Sequence, residues 1–242
     1  MRSYLQSMAY LTPQRDEHNP TFNAIISRLS LFRNTSPEAQ RDISARLVMR
    51  HRKAGSQIMA QDEVTDSLFI VQRGLVKLVI YGDNGRQMTL SSLGPGEFFG
   101  EMSAFDGQER GVTAEAAEDT TILVLARDQL FEHLGRFPAT AVTFLMEMSR
   151  RMRQQNELIA NLALRDVSVR LARTLVKLAR DDAEGTEERV IRRRPTQQEL
   201  ANMVGSCRET VSRAMAGFTR KGLVASQGRS LQLSDDLFDL AA

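Results

Sequence analysis

The chain of 242 residues contains very little cysteine, and Cys207 is its only thiol. One thiol forms neither an intrachain disulfide nor a tetrahedral cysteine metal site, so the composition favours a reducing compartment. No apolar run approaches the roughly 20 residues that span a bilayer, and residues 1–20 lack the apolar centre of a signal peptide. The sequence therefore predicts a cytoplasmic protein without a membrane segment or a metal site.

Catalytic signatures are also missing. The sequence contains no P-loop, no HExxH motif and no recognisable Ser/His/Asp order. The acidic residues Asp106, Glu109 and Glu115 have no evident base or metal partner nearby in the sequence. These observations predict that the chain is not an enzyme.

The charge of the chain is balanced overall but unevenly distributed. There are 32 basic and 30 acidic residues, a formal net charge of +2. Residues 189–229, however, carry nine basic and two acidic residues, which is 9 − 2 = +7. Such a basic segment indicates a polyanion partner, while a solvated basic surface is the alternative.

The period of the hydrophobic pattern changes along the chain. Helical spacing over residues 21–46, with Ser36-Pro37-Glu38 as a helix start, gives way to short β-type runs over residues 50–127. These runs are separated by glycines, and Asp83-Asn84-Gly85 is typical of a hairpin turn. Many short strands at this spacing predict a small antiparallel barrel or roll.

A long helix is predicted from Pro138 to about Ala163. One face repeats at spacings of three and four residues, and we call this face the seam: Val142, Leu145, Ser149, Met152, Asn156, Ile159 and Ala163. This spacing is typical of a coiled coil, and a polar Asn within it fixes register at some cost in stability. Packing of the helix on its own domain is the alternative.

The most informative segment is residues 196–213. Thr196 and Glu199 have the spacing of a capping box, which predicts a helix start, and Gly205 permits a tight turn into a second helix. The outer face of that second helix presents Arg208, Glu209, Ser212 and Arg213. Arginine pairs bidentately with guanine and glutamate accepts from cytosine, so this pattern predicts a helix that contacts bases in the major groove.

This segment resembles the recognition motif of the cyclic-AMP receptor protein/FNR family of transcription regulators, and the resemblance extends from about residue 25 to near the C-terminus. It implies an α+β architecture with a flexible tail (1–20), a cyclic-nucleotide-binding-like β-roll sensor (21–136), a dimerisation helix (137–164) and a winged helix-turn-helix (165–242). It implies a homodimer that binds a TGTGA-like palindrome in double-stranded DNA through Arg208, Glu209 and Arg213. The implied backbone contacts are Thr196, Gln198 and Ser206, with Cys207 standing where Ser is usual.

Residues 94–110 resemble the phosphate-binding cassette of the same family. The resemblance implies that Arg110 holds a cyclic phosphate and that Glu101, which follows Gly100, holds a ribose hydroxyl. Two departures are present: Gly111 replaces the usual Ser or Ala, and Gln155 and Asn156 replace two adjacent hydroxyl residues, while the basic residue Arg151 is kept. A cyclic nucleotide, cyclic AMP or a relative, is therefore the candidate effector, and a sensor without a nucleotide is the alternative.

The resemblance also places the acidic segment 181–188 where activating family members touch RNA polymerase, which makes the polymerase a candidate partner. A hypothesis from another class is a cyclic-nucleotide-binding module that regulates a protein partner. The helix-turn-helix pattern argues against it, and a DNA mobility shift distinguishes the two.

Overall fold

The computed structural model describes residues 35–82, 86–183 and 189–241, together with Ile26, Leu29, Leu31 and Phe32. The predicted tail at residues 1–20, the Asp83-Asn84-Gly85 turn and most of the acidic segment lie outside these residues. The contacts divide the chain into two units, one of residues 1–80 and 90–151 and the other of residues 81–89 and 152–242. Among the described residues, no helix has the length and apolar character needed to cross a bilayer.

The first half of the chain is mainly β-structure flanked by short helices. Its elements in chain order are α1 (Pro37–Ser44), β1 (Val48–Arg52), β2 (Gln57–Met59), β3 (Leu68–Arg73), β4 (Val76–Tyr81), β5 (Gln87–Leu93), β6 (Phe98–Phe99), α2 (Glu101–Asp106), β7 (Thr113–Ala116), β8 (Thr120–Leu125) and α3 (Arg127–Arg136). As the sequence predicts, Ser36 caps α1 by accepting from the Ala39 amide, with Pro37 at its first turn.

The strands form two four-stranded sheets, in the orders β1-β8-β3-β6 and β2-β7-β4-β5. Strand β8 is buried on both faces, with Ile122 in one core cluster and Leu123 and Leu125 in another, and β7 contributes Ala114 to the cluster of Ile122. A core cluster takes side chains from strands of both sheets, among them Val71 of β3 and Val76 of β4. The two sheets therefore enclose a common apolar core, as expected of a roll.

A buried polar cluster joins three helices of this unit. His133 on α3 is fully buried, and its Nδ1 lies 2.8 Å from Asp42 Oδ2 on α1. Its Nε2 lies 3.2 Å from Thr140 Oγ1, at the start of the next helix. Arg46 and Arg136 form ion pairs with the same Asp42 carboxylate. Because each of these buried polar groups has a partner, the cluster positions the helices without a stranded charge.

The long helix α4 (Pro138–Leu164) begins at the predicted proline. Thr140 and Phe144 are its buried residues, and Phe144 packs on Phe98 and Phe105 of the first unit. Four apolar members of the seam are instead largely exposed in the single chain: Val142 at 55%, Leu145 at 67%, Met152 at 68% and Ile159 at 62%. The helix thus packs on its own domain through Thr140 and Phe144, as in the alternative interpretation, but these seam residues do not take part in that packing.

The second unit continues with helices and a small sheet. Its elements are α5 (Val167–Asp181), β9 (Val190–Ile191), α6 (Gln197–Val204), α7 (Arg208–Arg220), β10 (Val224–Gln227), β11 (Ser230–Leu233) and α8 (Asp235–Ala241). The sheet has the order β10-β11-β9, and β10 and β11 pair as an antiparallel hairpin. The apolar face of α5 joins α6, α7 and the hairpin in one core, which includes Leu175, Leu200, Val211 and Leu231.

Candidate functional site

The first candidate site surrounds Arg110, between α2 and the loop that joins β2 to β3. Arg110 is 1% exposed, and its guanidinium makes three hydrogen bonds inside the protein. Nε donates to Thr65 Oγ1 at 2.7 Å, Nη1 to the Gly100 carbonyl at 2.7 Å and Nη2 to the Ser67 carbonyl at 2.8 Å. Neutral acceptors therefore hold the guanidinium in a fixed orientation.

The charge of Arg110 is poorly compensated. Burial lowers the pKa of Arg110 to about 10, against the weaker opposing attraction of Glu63, Asp66 and Glu101. Among the described residues, no carboxylate forms an ion pair with it. A buried cation held by neutral acceptors favours an anion that can enter its surroundings.

Gly100 is required for this arrangement. It has φ +77°, in the left-handed region, and caps the start of α2. A Cβ at this position would lie 2.7 Å from Arg110 Nη1 and 3.0 Å from the Ser67 carbonyl oxygen. Gly111 differs, because a Cβ there meets no heavy atom within 4 Å. The residue beside Arg110 therefore leaves open space where the family resemblance implies a Ser or Ala.

Glu101 and Arg151 come together in the first unit. Arg151 Nη1 lies 3.2 Å from Glu101 Oε1, and Arg151 Nε lies 3.5 Å from Glu147 Oε1. The Arg151 guanidinium also lies 3.9 Å from the centre of the Phe98 ring. Glu101 is thus an ion-paired residue directly after Gly100, whose carbonyl accepts from Arg110. Gln155 and Asn156 follow along α4, belong to the second unit and are exposed in the single chain.

The second candidate site is the helix pair α6–α7. Thr196 accepts from the Glu199 amide at 3.1 Å, and Glu199 accepts from the Thr196 amide at 2.8 Å, which is the predicted capping box. Gly205 follows α6 with φ +64°, the left-handed conformation expected of a helix end. The Thr196 hydroxyl is therefore occupied by the helix cap, whereas Gln198 is exposed and hydrogen bonds to Asn202 at 2.9 Å.

The recognition helix α7 separates a buried face from an outer face. Val211, Met215 and Phe218 are buried, as predicted. Arg208, Glu209 and Arg213 are exposed, and the other predicted contacts Ser206 and Ser212 are half-buried. The outer face thus offers two guanidinium groups and one carboxylate at the start of a helix, a combination suited to base edges in a major groove.

Cys207 is the N-cap residue of α7 and is exposed. Its Sγ lies 3.1 Å from Thr210 Oγ1, and hydrogen bonds from the Thr210 side chain and backbone lower the pKa of the thiol. The group lies directly beside Arg208.

Two contributions were not predicted from the sequence. Thr65 and Ser67, which hold Arg110, lie 45 and 43 residues away from it in the chain. Arg170 on α5 donates from Nε to the Val204 carbonyl at 3.0 Å and from Nη1 to the Arg165 carbonyl at 2.8 Å. It thereby joins the α4–α5 junction to the turn before the recognition helix. No local sequence pattern indicates either role, because each one depends on contacts between segments that are distant in sequence.

Comparisons with known proteins match one family model to each half of the chain. Residues 49–136 match the model of the cyclic nucleotide-binding domain, and residues 169–236 match the Crp-like helix-turn-helix domain. The chain is 32% identical over 213 residues to a CRP-like cAMP-activated global transcriptional regulator of Mycobacterium tuberculosis, covering 87% of this chain and 95% of the relative. It is 33% identical to the cyclic AMP receptor protein of Thermus thermophilus, covering 80% and 87% respectively.

Among solved structures, the c-di-GMP responsive global regulator CLP of Xanthomonas campestris has the same fold. Its TM-score is 0.73 at 23% identity, covering 82% of this chain and 99% of that one. The chain thus matches a cyclic nucleotide-binding domain and a helix-turn-helix domain, and the match to a regulator covers nearly the whole of that relative. The chain therefore belongs to the CRP/FNR family of DNA-binding transcription regulators and is not an enzyme.

Proposed function

We propose that the chain is a cytoplasmic homodimer that binds a TGTGA-like palindrome in double-stranded DNA. The observation that carries the proposal is the exposed set Arg208, Glu209 and Arg213 on α7, the helix that follows the Gly205 turn. Two copies present two such helices, and a two-fold symmetric protein matches a palindromic site.

The contacts divide into two classes. Arg208 contacts a guanine edge, with Glu209 and Arg213 beside it, and this set determines specificity. Gln198 and Ser206 contact the DNA backbone, together with the exposed basic residues of the β9–α6 segment, Arg192 and Arg193. Backbone contacts add affinity on any sequence and make it dependent on salt.

The experiment is selection of bound DNA from a random pool, followed by mobility shifts with variants. Arg208→Ala should cost roughly 1–3 kcal/mol on the selected site and relax preference at one base pair per half-site. Arg193→Ala is the matched control, since it should weaken specific and random DNA alike and reduce the salt dependence. Equal losses on both DNAs for Arg208→Ala would refute the assignment. Retention of a protein partner without DNA binding would favour a nucleotide-binding module instead.

We infer that the effector is a cyclic nucleotide whose phosphate binds at Arg110. The support is the buried, poorly compensated guanidinium beside the left-handed Gly100, within a domain of the nucleotide-binding type. Glu101, already oriented by Arg151, is the acceptor for a ribose hydroxyl, and Gly111 leaves space beside the phosphate. The family resemblance implies that Gln155 and Asn156, which stand in place of two hydroxyl residues, alter the preferred purine. Binding of the nucleotide changes the junction between α4 and α5 and thereby aligns the two recognition helices with the DNA. RNA polymerase is the further partner.

Calorimetry tests this with cyclic AMP. Gln155→Thr combined with Asn156→Ser should raise affinity for cyclic AMP, and Arg110→Leu should abolish binding of any cyclic nucleotide. Arg208→Ala is the control that should leave nucleotide binding unchanged. Because Arg110 also holds Thr65, Ser67 and Gly100, the thermal midpoint of each variant is measured in parallel. Unchanged nucleotide binding in a folded Arg110→Leu protein would refute the site.

A further inference from the structure

A surface pocket of the second unit, which is open to solvent and which we call the cavity, lies between the last turns of α4 and the second turn of α5. Its volume is about 410 Å³, and its lining residues are Glu157, Ala160, Asn161, Leu164, Arg165 and Arg173. The four residues on α4 have helical spacing and differ from the members of the seam. The cavity therefore belongs neither to the seam nor to the outer face of the recognition helix.

Arg173 contributes an unusual group to this cavity. Its Nη1 is buried and has no hydrogen-bond partner among the residues that the structure describes. Buried polar atoms in folded proteins nearly always have a partner, and a charged donor without an acceptor is especially costly. A donor left in this state on the wall of a cavity is suited to an acceptor that enters from outside.

The other lining groups define the chemistry of that acceptor. Arg165 and Arg173 are cationic and Glu157 is anionic, so the lining carries a formal charge of +1. Asn161 adds an amide, while Ala160 and Leu164 provide an apolar wall. A guanidinium matches the geometry of a planar or tetrahedral oxyanion and donates to it with charge assistance.

We propose that this α4–α5 cavity is a binding site for a small oxyanion, a carboxylate or a phosphate group, with Arg173 as its principal donor. The site is separate from Arg110 and needs neither the proposed nucleotide nor DNA. Its ligand accepts from Arg173 Nη1 and is neutralised by the net positive lining.

The test uses the full-length chain and two probes, sodium phosphate and sodium acetate, each titrated at constant ionic strength. Arginine Nε–H signals are followed by ¹H–¹⁵N NMR, and the signal that disappears in Arg173→Met identifies Arg173. We expect this signal to shift and saturate with at least one anion in the wild type. Lys177→Met is the matched control, because Lys177 is an exposed cation of α5 that does not line the cavity.

The variants separate a bound anion from general screening. Calorimetry should show saturable binding in the wild type and in Lys177→Met, and none in Arg173→Met. Arg173→Lys keeps the charge but loses the planar fork, so affinity should fall by about tenfold. Saturation by phosphate alone or acetate alone supports the proposal and identifies the class of anion. The proposal would be overturned if the Arg173 signal saturated with neither anion. It would also be overturned if a folded Arg173→Met protein bound the anion as tightly as the wild type.

Discussion

At the scale of single residues, Gly100 and Gly111 differ in whether their positions could accept a side chain. Gly100 has a left-handed φ, and a Cβ added to it would lie 2.7 Å from Arg110 Nη1. A Cβ added to Gly111 would meet no heavy atom within 4 Å. The first position excludes a side chain for both conformational and steric reasons. The second excludes it for neither reason.

We therefore expect Gly100→Ala to lower the free energy of unfolding by at least about 1–2 kcal/mol, the cost of the left-handed conformation alone. Gly111→Ala should change it by no more than about 0.5 kcal/mol. Urea denaturation of the two variants and the wild type measures the difference. Equal stabilities for the two alanine variants would contradict the close approach of Gly100 to Arg110.

His133 is the second residue with a measurable consequence. Burial lowers its pKa below the ordinary 6.5, although Asp42 opposes the shift, and Arg46 and Arg136 add to it. The folded protein therefore favours the neutral ring, whereas the unfolded chain takes up a proton near pH 6.5. The contribution of His133 to stability is complete above about pH 6.5 and is lost as the pH falls below it.

Between about pH 7.5 and about pH 5.5, this group should lower the free energy of unfolding by up to about 1.4 kcal/mol. Urea denaturation at the two pH values measures the change. His133→Gln should remove most of this dependence, while His51→Gln, at an exposed histidine of β1, should keep it. A pH dependence that survives unchanged in His133→Gln would assign the effect to other groups.

At the scale of elements, the junction of α4 and α5 depends on one side chain. Arg170 joins the carbonyls of Arg165 and Val204, so it connects the junction with the turn that precedes α7. A charged donor that bridges two carbonyls contributes more than a neutral hydrogen bond. The orientation of the recognition helix therefore depends on a residue outside it.

Arg170→Met should lower the free energy of unfolding by about 1.5–3 kcal/mol and weaken binding to the selected DNA site. The reason is that both carbonyls lose their donor and the α6–α7 turn loses its connection to α5. Lys177→Met on the same helix serves as the control and should change neither property. Denaturation and mobility shifts measure the two effects, and normal DNA binding by Arg170→Met would show that the connection is dispensable.

Local patterns in the sequence predict elements better than they predict the contacts between them. The capping box at Thr196, the turn at Gly205 and the buried face of α7 each depend on a few consecutive residues, and the structure confirms them. Strands β1, β2 and β7 have weaker patterns and are defined by pairing with distant partners, as in the register of Val48 with Val124. The hydrogen bonds that join Thr65 to Arg110 and Arg170 to Val204 likewise connect residues 45 and 34 positions apart, so sequence alone cannot give them.

At the scale of the whole molecule, the exposed seam of α4 is the contact surface of the proposed homodimer. Val142, Leu145, Met152 and Ile159 are each more than half exposed in the single chain. Burial of such side chains against a second copy is the largest favourable contribution available to association. Asn156 lies among them, and in the proposed dimer it would fix the register of two parallel helices.

The wild type should accordingly sediment as a dimer at micromolar concentration without DNA. Ile159→Glu should produce monomers, because it places a charge in the apolar seam. Glu157→Gln is the control, since residue 157 lies outside the seam and the variant should remain dimeric. A monomeric wild type in sedimentation velocity would remove the dimer from the proposed function.

The cluster of Asp42, His133 and Thr140 has the arrangement of a catalytic triad in a protein that is not an enzyme. A carboxylate at 2.8 Å from Nδ1 and a hydroxyl at 3.2 Å from Nε2 have the order and spacing of a hydrolase catalytic triad. Both His133 and Thr140 are fully buried, so no acyl or ester group can reach the hydroxyl. A template search on distances alone would classify this regulator as a hydrolase, and solvent access to the nucleophile is the criterion that corrects it.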